Sequence, residues 1–308
     1  MLEVSQRGLE LNQSPIRGLV PFARAAAAKG RKVLHLNIGQ PDLPTPPEAL
    51  EKVREDQATV ISYGPSEGLP VLRESLRGYY DKYDAGLAME DVLVTTGASE
   101  AILFALYACC NEGDEVIVPE PFYANYIGFA QMCGVRIVPI STSFQDQFDL
   151  PSAEAFEEAI TSRTKAILLC NPSNPTGRLY GKDQLAQLAA LVQRHDLFLV
   201  VDEVYREFCY DRPFTSILSF QEANQHVVVI DSISKLFSSC GARVGFMITK
   251  NEAVRAAAIK YAQLRLCPPY HGQLLATACY EVADSYIPEA IAEYRNRRDF
   301  LFERLSSV

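Results

Sequence analysis

Four short segments of this chain carry side chains suited to chemistry, and each directly follows an apolar run. Lys235 stands in Asp231-Ser232-Ile233-Ser234-Lys235-Leu236-Phe237, hemmed in by small and apolar neighbours. A lone lysine is usually solvated, but one held in such a setting is a nucleophilic amine that can condense with a carbonyl. Asp202 opens Asp202-Glu203-Val204-Tyr205 after five apolar residues. It is either a helix cap or a half-buried carboxylate that needs a cationic partner. Asn171-Pro172-Ser173-Asn174-Pro175-Thr176-Gly177 has two prolines that stiffen the backbone, which predicts an extended, outward Asn174, against the plainer alternative of a stiff surface turn. Thr95-Thr96-Gly97-Ala98-Ser99-Glu100 is a glycine turn opening a helix, so its free N–H groups can converge on an anion; the alternative is an ordinary turn capped by Ser99.

From about residue 92 short apolar runs alternate with helical patterns: Val92 to Val94, Val116 to Val118, Ile137-Val138, Ala166 to Leu169, Leu197 to Val201, Val227 to Ile230 and Gly245 to Ile248. Near-continuous apolar runs separated by helices predict strands covered on both faces, hence a mostly parallel α/β sheet in three layers, α/β/α. Ala166 to Val201 reads as a strand, a helix bearing Leu185, Leu188, Ala189 and Val192, and a second strand, which is a βαβ crossover. Amphipathic stripes predict further helices over residues 69–83 and 287–305. Ligands of such sheets bind at the carboxyl ends of the strands, where all four segments fall.

One ligand would engage them together: a molecule with a phosphate, a protonated ring nitrogen and an aldehyde, which is pyridoxal 5'-phosphate. Lys235 would take the aldehyde, Asp202 would keep the ring nitrogen charged, and the glycine turn with Arg243 would hold the phosphate. With Ser232 to Gly245 (S-I-S-K-L-F-S-S-C-G-A-R-V-G), N-P-S-N-P-T-G and D-E-V-Y in this order, the chain resembles the class I/II aminotransferases of the aspartate aminotransferase superfamily. The resemblance extends from Asn37-Ile38-Gly39-Gln40-Pro41-Asp42 to the last helix. It implies the pyridoxal-phosphate-dependent transferase fold of type I, and a ping-pong transfer of an amino group from an L-amino acid to a 2-oxo acid. Aspartate with 2-oxoglutarate is the lead pair, and substrate choice rests partly on the segment near Ile16-Arg17-Gly18. The same scaffold would also support elimination of a β- or γ-substituent, and a non-catalytic cofactor-binding fragment is a further alternative.

The resemblance also implies roles residue by residue. Lys235 anchors the cofactor and shuttles the proton; Asp202 pairs with the ring nitrogen; Asn174 and Tyr205 bond the ring's phenolic oxygen; Tyr123 stacks on the ring. The backbone of Ala98 and Ser99, with Ser232, Ser234 and Arg243, takes the phosphate, and Tyr63 reaches the phosphate of a neighbouring subunit in a homodimer. Gly39 lies beside the substrate carboxylate. Arg206 is expected to be a surface or structural ion-pair residue and Cys240 filler. Residues 41–282 form the expected large domain, with residues 1–40 and 283–308 in a small one. Family members continue into a region with an arginine that grips the α-carboxylate; no arginine before Val308 matches it.

With 308 residues, net charge −9, 48% hydrophobic and 22% charged residues, the composition is that of a globular protein and argues against nucleic acid as the partner. The apolar runs are too short to span a membrane, and the expected location is the cytoplasm. The eight cysteines contain no C-x-x-C pair and read as reduced thiols, mostly buried, rather than metal ligands.

Overall fold

A computed structural model describes residues 2–11 and 14–307. Every apolar run named above forms a strand: β1 (Val92–Thr95), β2 (Glu115–Glu120), β3 (Arg136–Ser141), β4 (Thr164–Cys170), β5 (Phe198–Asp202), β6 (Val227–Ser232) and β7 (Gly245–Ile248). They make one sheet in the order β1-β7-β6-β5-β4-β2-β3. Only β7 runs against its neighbours, antiparallel to both β1 and β6.

Because successive strand residues point to opposite faces, each run divides its apolar side chains between two cores. Ile167, Leu169, Leu199, Val201, Val227 and Val229 pack on one side. There they meet Leu185, Leu188, Ala189 and Val192 of the helix Lys182–Arg194. Ala166, Leu168, Val200, Val228 and Ile230 face the other way, onto Ala101, Ile102, Ala105 and Leu106 of the helix Ala98–Cys109. Burial on both faces is what the continuous runs demanded, and the layers are α/β/α.

The predicted helix over 69–83 is an α-helix from Pro70 to Tyr80 with a 3₁₀ turn at Asp81–Tyr83, burying Leu72, Leu76 and Tyr80. The last helix spans Ala283–Ser306 and buries Ile287 and Ala290. Its expected stripe does not continue: Leu301 is 55% and Leu305 66% exposed. Val308, the end of the expected small-domain segment, lies outside the described residues, as do Met1, Asn12 and Gln13. The helices Gln6–Glu10, Pro15–Gly18 and Val20–Ala28 precede the sheet, and the last of them buries no residue. All eight cysteines are free; Cys109, Cys170 and Cys279 are buried and the other five partly so. Among the described residues no helix is long and apolar enough to cross a membrane.

Candidate active site

Parallel register aligns the ends of the central strands, pairing Cys170 with Asp202 and Asp202 with Ile230. Asp202 is therefore delivered to the carboxyl edge of the sheet, yet is only 5% exposed. Tyr126 donates its hydroxyl to Oδ2 at 2.8 Å, and the Val204 N–H donates to Oδ1 at 3.3 Å. Burial pushes its carboxyl up to about 6; the two hydrogen bonds and the charge of Lys235 pull the other way, while Asp231 adds to the rise. Desolvation wins, so a cation beside this carboxylate would be strongly favoured. Asp202 is thus a carboxylate in need of a cationic partner rather than a helix cap, and it is buried more deeply than the half-burial expected from the sequence. Glu203, its neighbour, points elsewhere and holds Ser216 and the Ile217 N–H.

Lys235 lies on the short helix Ile233–Leu236, whose first N–H groups are capped by Ser232: its hydroxyl oxygen accepts from the Ser234 N–H at 3.3 Å. Lys235 Nζ donates to the Gly39 carbonyl at 2.6 Å, joining two positions far apart in sequence. Tyr123 accepts a hydrogen bond from Asn125 Nδ2 at 2.8 Å and meets the Tyr126 ring edge-on, centroids 5.4 Å apart. Its phenol is pushed up by burial, with Asp202 adding and Asn125, Arg17 and Arg243 opposing. Tyr205 is half-buried against Phe208; burial raises its phenol, and Asp202 and Tyr123 raise it further.

A third group sets the Arg243 guanidinium against the start of a helix. Gly97 caps the helix Ala98–Cys109 with φ 77°, a backbone that side chains rarely adopt, and a Cβ there would sit 2.3 Å from Arg243 Nη2. Only glycine lets the guanidinium lie against this turn. Arg243 donates to the Cys240 carbonyl at 3.0 Å and the Thr96 carbonyl at 3.3 Å. Ala98 and Ser99 open the helix, so their N–H groups have no acceptor within it. Ser99 is not the cap, since the helix begins one residue before it.

Asn174 begins a turn over residues 174–176, closed by the Gly177 N–H on the Ser173 carbonyl at 2.8 Å; the local backbone is a tight turn rather than the expected extended segment. Tyr63 is 80% exposed, at the surface of the chain. Three side chains escaped the sequence reasoning. Tyr126 and Asn125 follow Tyr123 in Pro121-Phe122-Tyr123-Ala124-Asn125-Tyr126, and an aromatic three residues on was the available signal. Asp231 was passed over beside Ser232; it is fully buried and paired with Arg206. That pairing decides the Arg206 question: the residue is 1% exposed and structural, not superficial.

The family model "Aminotransferase class I and II" matches residues 31–308. The chain belongs to the class I and II aminotransferases. It is 33% identical over 307 residues to an aspartate aminotransferase of Thermotoga maritima, covering 99% of this chain and 80% of that protein. To an aspartate/prephenate aminotransferase of Thermus thermophilus it is 32% identical over 286 residues, 91% of this chain and 73% of the relative. Among solved structures, the Thermus thermophilus aspartate aminotransferase with maleate superposes with a TM-score of 0.93 at 30% identity, covering 100% of this chain and 81% of that one. An alanine aminotransferase from Pyrococcus furiosus gives 0.90 at 31% identity, covering 99% and 80%. The protein is a pyridoxal-phosphate-dependent aminotransferase acting on amino acids and 2-oxo acids, and nothing in these comparisons favours the elimination alternative.

This aminotransferase has residues that fit the cofactor. A dry carboxylate suits a cationic ring nitrogen, the Gly97 turn with Arg243 suits a phosphate, and the charge of Lys235 reaches the same carboxylate.

Proposed function

We propose that Lys235 anchors the cofactor aldehyde and that Asp202 pairs with its ring nitrogen, in a ping-pong transfer of an amino group between an L-amino acid and a 2-oxo acid. The observation that carries this is the meeting, at one sheet edge, of a buried carboxylate and an amine whose charge it feels. When bound, the cofactor supplies a conjugated ring that spreads the electrons freed at the substrate Cα. Lys235 Nζ, oriented by the Gly39 carbonyl at 2.6 Å, would take the Cα proton and deliver it to the carbon that was the cofactor's aldehyde, on the far side of the nitrogen. Asp202, kept from water and held by Tyr126, stays anionic against a cationic nitrogen. Tyr205 and Asn174 would hydrogen-bond the phenolic oxygen, and Tyr123 would stack on the ring. The Ala98 and Ser99 N–H groups, Ser232, Ser234 and Arg243 take the phosphate. The Gly39 backbone faces the substrate carboxylate.

The exposed Tyr63 belongs in this proposal to the active site of a neighbouring subunit, making the working form a homodimer. Residues 41–282 form its large domain, and residues 1–40 with 283–308 contribute to a small one.

Aspartate with 2-oxoglutarate is the proposed substrate pair. The Thermotoga and Thermus relatives carry aspartate in their names. Arg17 adds a reason internal to this chain. Ser14 Oγ lies 3.3 Å from Asn125 Oδ1, Asn125 bonds Tyr123, and the charge of exposed Arg17 reaches Tyr123. In this proposal the exposed Arg17 guanidinium, whose charge reaches Tyr123, would meet the distal carboxylate of the substrate.

Borohydride reduction of the holoprotein followed by peptide mass spectrometry tests the anchor. The cofactor mass should appear on Lys235 and vanish in Lys235→Ala; label on another lysine removes the proposal. A panel of amino donors with 2-oxoglutarate tests the substrate, and a clear preference for alanine over aspartate would contradict it.

A further inference from the structure

Beneath the site, Arg206 and Asp231 form an ion pair whose side chains are 1% and 0% exposed. Asp231 also accepts from the Ser232 N–H at 2.7 Å and from Tyr80 at 3.1 Å. Arg206 packs over the rings of Tyr79 and Tyr80, 5.1 Å from each centroid, and its Nε has no hydrogen bond. Burial raises the Asp231 carboxyl, and the facing guanidinium opposes that rise.

Stability alone is a poor reason for such a pair. Well-packed apolar side chains in place of a buried ion pair are often neutral or stabilising, because two charges need not then be stripped of water. What the pair does have is position. Arg206 adjoins Tyr205 and donates its backbone N–H to the Glu203 carbonyl at 3.0 Å, so it belongs to the turn that leaves β5 after Asp202. Asp231 is the last residue but one of β6; its carboxylate holds the Ser232 N–H, and Ser232 in turn caps the short helix bearing Lys235. The ion pair is thus a bolt between the turn that follows β5 and the end of the neighbouring strand β6.

We propose that Arg206 and Asp231 are positioning residues of the cofactor pocket: their ion pair fixes the separation between the segment from Asp202 to Tyr205 at the end of β5 and the segment from Ser232 to Lys235 at the end of β6. Neither side chain touches the cofactor. This rests on the assignment of Lys235 and Asp202 made above. A charge-assisted bond between planar groups sets both distance and orientation, which an apolar contact of equal volume does not.

The test compares full-length wild type with the double variant Arg206→Met/Asp231→Leu, and with Asp231→Asn alone. The double variant keeps the volume apolar and packed, so its melting temperature before cofactor addition should stay within roughly 4 °C of wild type. Its dissociation constant for pyridoxal phosphate should nonetheless rise about tenfold, and the visible circular dichroism of the bound chromophore should fall. Wild-type affinity and dichroism in the folded double variant would show the pair to be structural only, and the proposal would be lost. Should the double variant not fold, Asp231→Asn decides, since it keeps the shape and the acceptor for Ser232 N–H. That variant leaves the buried guanidinium uncompensated and should melt lower than wild type; about threefold or more weaker cofactor binding at a temperature where it stays fully folded supports the proposal, and unchanged binding there overturns it. Borohydride labelling separates the two levels: absence of a Lys235 adduct in wild type sinks the site assignment, whereas a normal adduct with normal affinity in the variants sinks only the bolt.

Discussion

Tyr126 hydrogen-bonds Asp202 across the buried floor of the site, O to O at 2.8 Å, from a helix 76 positions earlier in the chain. Because the carboxylate is desolvated, each donor it retains counts for more than at a surface, on the order of 1.5–3 kcal/mol for a bond to a charged group. Tyr126→Phe keeps the ring in its packing beside Phe122 and removes only that donor. Steady-state kinetics should show kcat lowered about tenfold with KM little changed, since the loss falls on charge stabilisation and not on substrate contacts. A rise in KM at constant kcat would mean that Tyr126 meets the substrate instead.

The contrast between Asp202 and its partner shows what the sequence could and could not disclose. Asp202, Lys235 and the Gly97 turn were legible because parallel strands deliver their last residues to one edge, so position along the chain implied position in space. Tyr126 was not, because it lies on the helix Asn125–Cys133 after β2 while Asp202 ends β5, and only the folded sheet order β5-β4-β2 brings the two together. The reversal of β7 was hidden for a related reason: Gly245 to Ile248 is apolar whichever way it runs, and direction depends on pairing with β1 and β6. For Arg206 the local pattern left a surface and a structural ion pair both open, and burial with Asp231 beneath the Tyr79 and Tyr80 rings selects the second. Leu301 and Leu305 misled, a regular stripe that meets no core here.

Titration of Asp202 should leave a signature in stability. Its folded carboxyl is pushed up to about 6 from an ordinary value of 3.8, so between those limits the folded state binds more protons than the unfolded one. Stability contributed by this group is therefore complete below pH ~4 and is lost as pH rises toward ~6, by roughly 3 kcal/mol for about two units. Asp202→Asn cannot lose it. Urea melts of cofactor-free wild type and Asp202→Asn should diverge across that window, the variant becoming relatively more stable as pH rises. A difference that stays constant from pH 4 to 7 would show that burial does not govern this carboxyl.

Arg17 provides a test of substrate choice that leaves the reacting end untouched. A guanidinium reserved for a distal carboxylate discriminates between amino donors that differ only in that group. Arg17→Ala should lower kcat/KM for aspartate about tenfold and leave the value for alanine within about twofold. Equal losses for both donors would place the guanidinium at the α-carboxylate, and no loss for either would remove it from the pocket.

Gly97 is where the fold and the phosphate site make incompatible demands on any other residue. Its φ of 77° is strained for a side chain, and the Cβ position is taken by the Arg243 guanidinium 2.3 Å away. Gly97→Ala must therefore strain the turn, at a cost of order 1–3 kcal/mol, or displace Arg243 from its bonds to the Thr96 and Cys240 carbonyls. Either response moves the cation and the helix N–H groups apart. Affinity for pyridoxal phosphate should fall about tenfold or more, while affinity for pyridoxal, which has no phosphate, should change little. Parallel titrations with the two aldehydes measure the difference. If both bind the variant as they bind wild type, the anion is held somewhere other than this turn.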